Sequence, residues 1–388
     1  MNVLSAPVLS TKADEFSSPD RAFACLPPLY PPAMPLEETA PAGAPLTAEG
    51  VADAEWDALA ERSGNVFATR EWLSTWQRHH GGGQRTLTLA SRDAGGRLTG
   101  LLPLRVARRH PALLLPVGPW PPPAGPVICA PEDIATVPRD LAEQLAGRDD
   151  WDVLLAQAVP VGAGWREALR AVPRGREPNR TLDFEGRGWD ELLAARSRNF
   201  REQIGRRERR LRKRYALEYR RSEDPVRLDA DLDVLHRLHR LRFGETSTGL
   251  TAEREAFHRD IASQALERGW LALWFLELDG RPVAASLDFR YAGSELVYQS
   301  GRDPDFEADN VGLALTVHTV REAAGAGVSA YRFLRGDQEY KRRLANRDEP
   351  IESLAASRGL VGDLALGAFG VARRARPAVS RALALARG

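Results

Sequence analysis

Three strand-like segments joined by two short turns constrain this chain more than any other part of its sequence. Trp270–Leu278, Pro282–Tyr291 and Glu295–Ser300 read as strands, and their separators, "DGR" and "AGS", are hairpin-type turns. Helical spacing predicts helices over Leu232–Phe243 and Glu253–Gly269 before this meander. A helix over Val311–Ala326 and a strand over Ala330–Leu334 follow it. Helix, antiparallel meander, helix, strand is an α+β, mixed α/β layering with a mostly antiparallel sheet, and it argues against a doubly wound parallel sheet.

The length of 388 residues suggests two domains. Residues 1–45 are rich in Pro, Ala and Ser without a period and are expected to form a disordered lead. A first domain over 46–184 is expected to hold a helix at Ala68–His80 with Thr69 as N-cap. Strands at Thr86–Ala90 and Leu98–Val106 come next, then a strand and a proline-rich loop between Leu113 and Pro131. A helix at Ile134–Ala146, a strand at Val153–Ala156, a helix near Trp165–Ala171 and a closing strand at Arg180–Phe184 complete it. The second domain, 185–356, opens with helices at Trp189–Ala195 and Arg198–Tyr215. Residues 357–388 form an apolar-basic tail.

Hydrophobic content of 43%, charged content of 28% and a net charge of +1 are ordinary for a soluble globular protein. No global field recruits nucleic acid or an anionic membrane. Cys25 and Cys129 cannot build a disulfide framework, the N-terminus lacks a signal-peptide pattern, and no long apolar run suggests a transmembrane segment. The expectation is a cytoplasmic protein. His236-x-x-His239 has helical spacing but no third ligand, so no metal is expected.

Charge is concentrated in one helix. Between Arg196 and Arg214 stand ten cations against Glu202 and Glu208, while Phe200, Ile204, Leu211 and Tyr215 make one apolar stripe. The helix is expected to dock by that stripe. Its cations are either a solvated face or a site for an anionic ligand. No sequence-specific nucleic-acid motif is present.

Lysine is rare: Lys12, Lys213 and Lys341 are the only ones among 54 Lys and Arg residues. Where charge alone suffices this chain uses arginine, so Lys341 is a candidate for chemistry that a guanidinium cannot do. It stands in "YRFLRGDQEYKRRLA", four residues after Asp337, and that spacing is also a common surface ion pair on a helix. Asp288 is a second candidate. Alternation in "VAASLDFRY" puts Ala285, Leu287 and Phe289 on one face and Ser286, Asp288 and Arg290 on the other. A carboxylate there is a general base, a binder of an acceptor's ammonium or hydroxyls, or the partner of Arg290.

"NVFATREWLSTWQRHHGGG", "RSRNFREQIGRRERRLRK", "LDGRPVAASLDFRYAGSELVYQSGRDPDF" and "NVGLALTVHTVREAAGAGVSAYRFLRGDQEYKRRLA" together resemble the GCN5-related N-acyltransferase (GNAT) superfamily. Within it they are similar to the CelD/BcsL-like, or BioF2-like, acetyltransferases and to the Fem peptidyltransferases. The resemblance spans about Asn65–Ala345. It implies tandem GNAT-like domains, each a central mostly antiparallel sheet flanked by helices, with the acyl-donor site in the second. It implies acyl-CoA as co-substrate, without a metal, and acyl transfer to an amine or hydroxyl of a sugar or small metabolite, in envelope polysaccharide biosynthesis. A Fem-like transferase using aminoacyl-tRNA, or a non-catalytic scaffold of a polysaccharide-synthesis complex, are the alternatives.

Residue by residue, the resemblance implies donor binding by Gln299, Ser300 and Gly301 on the strand and by Asn310, Val311 and Gly312 at the helix start. The candidates for acceptor binding are Tyr298, on the strand next to Asp288, and Tyr340, and those for catalysis are Asp288, read from the strand alternation, with Asp337 and Lys341. Main-chain N–H groups at a helix start suit a pyrophosphate. Asp309 opens that loop where the superfamily has Arg or Gln, and its charge opposes a phosphate unless a neighbour such as Arg302 offsets it.

Overall fold

The computed structural model describes residues 46, 48–118, 125, 127–244 and 250–368. The expected lead 1–45, most of the proline-rich loop and the tail beyond residue 368 lie outside them.

Among the described residues, fourteen strands form two seven-stranded sheets. The first half contributes β1 (Thr86–Arg92), β2 (Leu98–Arg109), β3 (Ala112–Pro116), β4 (Ile128–Cys129), β5 (Val153–Pro160) and β6 (Val172–Glu177). The remainder are β7 (Asn179–Asp183), β8 (Leu217–Arg221), β9 (Leu271–Leu278), β10 (Arg281–Tyr291), β11 (Ser294–Arg302), β12 (Ala330–Arg335), β13 (Arg347–Asp348) and β14 (Ile351–Ser357). The first sheet runs β1-β2-β3-β5-β14-β6 with β4 on β2, and the second β13-β7-β12-β11-β10-β9-β8.

Each sheet is antiparallel except for one pair, β3 with β5 and β11 with β12. Parallel neighbours need a crossover, and each pair has a helix in its connection, Val137–Ala146 in the first sheet and Val311–Gly325 in the second. The same device in both halves makes the fold a tandem of two GNAT-like units, as the resemblance implies.

The halves exchange strands. The segment expected to close the first half is β7, and it pairs with β12 and β13 of the second sheet. In return β14 inserts between β5 and β6 of the first. Only Pro178 separates β6 from β7, and Glu349-Pro350 separates β13 from β14. A proline offers no N–H to a ladder, so each marks the point where the chain leaves one sheet for the other.

One core spans both halves. Trp72 of the helix Arg70–His80 meets Phe257, Phe289 and Tyr298 edge-on, with ring centroids 5.0–5.2 Å apart. Thr69 caps that helix by accepting from Trp72 N, as expected. The meander lies where its alternation put it, with Ala285, Leu287 and Phe289 buried in the shared core.

Candidate active site

β11 and β12 pair only at Ser294↔Ala330, Glu295↔Tyr331 and Leu296↔Arg332. Beyond that point β11 runs on to Arg302 and β12 to Arg335 without pairing to each other. On its far side β11 stays bonded to β10 as far as Ala284↔Arg302, so the sheet opens along one seam only. Leu334 sits in the left-handed region at φ +57 beside a register shift between β12 and β7, a conformation a leucine rarely adopts, and it bends β12 at this point.

Lys341 closes the β12 side of the opening. Its ammonium lies 2.8 Å from the Phe333 oxygen and 2.7 Å from the Arg335 oxygen, with Leu334 O at 3.5 Å. The residue is 5% exposed. Burial, and then the positive charges of Arg242, Arg335 and Arg180, push its pKa down to about 7. A neutral amine has two N–H donors for the two short contacts and keeps a lone pair, so near neutral pH the group can take up or release a proton.

Asp337 does not hold this lysine. The helix begins at Glu339 with Gln338 as N-cap, so Asp337 precedes it and the i,i+4 relation never forms. Its half-exposed carboxylate accepts from Arg180 at 2.8 Å and Arg342 at 2.9 Å.

Asp288 faces away from solvent altogether. It is fully buried and accepts from Ser286 Oγ at 2.6 Å and Tyr331 OH at 3.0 Å, and Tyr331 in turn meets Thr319 at 2.7 Å. Burial, then the neighbouring Glu295, push its pKa well up, so it is a buried acid sealed beneath the helix Val311–Gly325. Arg290, the alternative partner, bonds Glu295 instead at 2.7 Å. A base reaching an acceptor is not what this position offers.

The β11 residues have mixed surroundings. Ser300 Oγ accepts from Arg242 at 3.1 Å and its carbonyl lies 3.3 Å from His239 Nδ1. Gly301 presses on main chain: a Cβ there would lie 2.4 Å from His239 N. Gln299 is half-buried beside them. Tyr298 packs its ring against Phe67, Trp72 and His258 at the junction of the halves, and Tyr340 packs against Phe333 at 6.1 Å. Arg242, the charge acting most strongly on Lys341, was not singled out by the sequence, because no local pattern links it to a residue 99 positions away.

At the mouth, Asn310 adopts φ +56 and caps the helix that starts at Val311 and Gly312. The N–H groups of those first positions have no intrahelical acceptor. Asp309 is 5% exposed and bonded by Arg210 at 2.6 Å and Arg214 at 2.8 Å. The offset expected from Arg302 comes from these two arginines of the basic helix; Arg302 pairs with Glu307 at 3.0 Å.

His236 meets His258 at 3.1 Å, and burial lowers the pKa values of His236 and His239 to about 4. Among the described residues no group of three or more His, Cys, Asp or Glu could hold a metal ion, and no helix is long and apolar enough to cross a membrane.

Residues 198–342 match the acetyltransferase (GNAT) domain family. No curated protein matches the chain. Among solved structures it is similar to FemX at 12% identity and a TM-score of 0.54, over 81% of this chain and 98% of that one. The C-terminal domain of a putative lysylphosphatidylglycerol synthetase from Agrobacterium fabrum matches at 13% identity and TM-score 0.50, over 81% and 93%. A tandem GNAT protein from the clavulanic acid biosynthesis pathway matches at 14% and 0.44, over 79% and 94%. Residues 198–342 thus match a GNAT acetyltransferase domain within a FemX-like fold, and acyl transfer is the general activity that this match supports.

Proposed function

We propose that the protein is an N-acyltransferase whose donor enters the opening between β11 and β12 and whose acceptor is an amine, or a hydroxyl, of a sugar or small metabolite. The observation that carries this is Lys341, a buried amine with a pKa near 7 on the free edge of β12. An acceptor amine must lose a proton as it forms its new bond, and Lys341 has the lone pair to take it. Arg242, held on Ser300, supplies positive charge for the oxygen that becomes anionic.

Acyl-CoA suits the mouth of the opening. The first N–H groups of the helix at Val311 and Gly312 lack an intrahelical acceptor and suit phosphate oxygens, and Asp309 is already offset by Arg210 and Arg214. Bound there, the thioester would supply the activated acyl group. Calorimetry with acetyl-CoA and longer acyl-CoA esters tests this reading, which fails if none binds.

An aminoacyl-tRNA donor is the second reading, favoured by a different observation. Arg206, Arg209 and Lys213 lie exposed on the helix whose Arg210 and Arg214 reach the mouth, and among the described residues they have no carboxylate partner. Retardation of charged tRNA that weakens steeply with salt, without binding of CoA esters, would select it.

A further inference from the structure

The helices Arg198–Arg214 and Val311–Gly325 leave a small recess, open to solvent, beside β8. No residue of β11 or β12 lines it, so it is distinct from the opening described above. Ile204, Leu313 and Val317 give it an apolar base. On one wall Tyr219 and His318 stack with centroids 3.9 Å apart and planes 7° from parallel, and Trp274 braces the imidazole edge-on at 5.0 Å.

Two nitrogens of the lining residues, His318 Nε2 and Arg207 Nη1, are shielded from water and have no hydrogen-bond partner in the protein. Buried polar nitrogens are nearly always matched, so two in one recess call for a partner from outside the chain. The recess does contain a carboxylate, Glu208, but it is already engaged by Arg212 at 3.0 Å and Arg321 at 3.5 Å. Burial, and then the like charges of Arg343 and Arg210, lower the pKa of Arg207, and the more weakly acting Glu339 does not offset them. The local field therefore favours negative charge.

We infer that this recess is a second ligand site, for a small molecule bearing a carboxylate or phosphate monoester. Arg207, Arg321 and the Nε2–H tautomer of His318 donate to its oxygens, and the apolar base takes a short carbon skeleton. A ligand bridging Arg207 and His318 ties the basic helix to the helix that begins at Val311. The site does not depend on the acyl-transfer reading, since its polar groups, Arg207, His318 and Arg321, are none of those assigned there to donor or acceptor.

The test is an NMR titration of the full chain with inorganic phosphate and, separately, malonate, at constant ionic strength. The His318 ring signals are identified by their loss in His318→Phe, which keeps a flat ring against Tyr219. Expected is a saturable shift of those signals with either anion, weakened at least about tenfold in Arg207→Met by the loss of a charge-assisted hydrogen bond. Arg198→Gln, on the same helix but paired outward with Glu202, should leave the titration unchanged. If Arg207→Met does not fold, Arg207→Lys takes its place, because a point charge cannot reproduce the guanidinium fork and should also weaken binding. No saturable response of His318 to either anion, or a response indifferent to both Arg207 variants, overturns the inference.

Discussion

The Lys341 ammonium lies 2.7 Å from the main-chain oxygen of Arg335, at the end of a strand that has already parted from β11. The lysine stands where a neighbouring strand's N–H would otherwise bond, which links the shape of the opening to its chemistry.

Replacing Lys341 therefore costs more than a charge. In Lys341→Met the buried oxygens of Phe333 and Arg335 lose their donor, an expected loss of about 1–3 kcal/mol in urea unfolding. Lys341→Arg should be as damaging, because a planar fork does not fit a site shaped for one nitrogen. A surface ion pair would have tolerated arginine with a change below about 1 kcal/mol.

Proton linkage gives a separate handle on the same group. Free lysine titrates near 10.4, whereas in the fold Lys341 titrates at about 7. Between these values the unfolded chain holds a proton that the native state has lost, so native stability relative to Lys341→Met rises with pH. The expected slope is at most about 1.4 kcal/mol per pH unit from about pH 7 to pH 10. A flat difference across that window would show that the carbonyls keep the ammonium charged.

Asp288→Asn should leave acyl transfer within a few-fold of wild type, because the buried amide can still accept from Ser286 and donate to Tyr331. A general base removed at that position would instead lose about 10²-fold or more. The carboxyl's native pKa lies well above its unfolded value. Wild type therefore loses stability as pH rises above about 4, and the amide variant, which cannot ionise, should be progressively favoured over that range.

Gly301→Ala separates packing from donor binding. The added methyl would meet the main chain of Leu238 and His239 at 2.4–2.5 Å, so β11 and the helix Leu228–Phe243 must move apart, at an expected cost of about 1–3 kcal/mol. Thermal unfolding should report that loss even without any donor present.

Arg210→Ala with Arg214→Ala strands the buried Asp309 carboxylate beside the donor mouth. The double variant should weaken an anionic donor and lower stability by about 1–3 kcal/mol. Adding Asp309→Asn should restore most of both. Calorimetry and urea unfolding of the three proteins read the outcome.

The meander was legible in the sequence because alternation and turn residues are local signals, and Pro282–Tyr291 lies within a residue of its observed bounds. The strand exchange was not, since the segment from Asn179 gives no sign that its partners lie about 150 residues downstream in β12. Asp309 read as a misplaced charge for the same reason: Arg210 and Arg214 lie 99 and 95 residues away. Alternation put Asp288 on the correct face of β10 but could not say that Tyr331 and a helix seal that face. Lys341 was legible through its rarity in an arginine-rich chain, although its partners proved to be carbonyl oxygens and not Asp337.

An acyl donor is expected to occupy the opening between β11 and β12. Hydrogen–deuterium exchange on the full chain, with and without coenzyme A or charged tRNA, tests it most directly. One of the two donors should slow exchange in Val297–Arg302 and in the first turn after Asn310, while β1 and β2 stay unchanged. Exchange in those two segments that neither donor alters would contradict it.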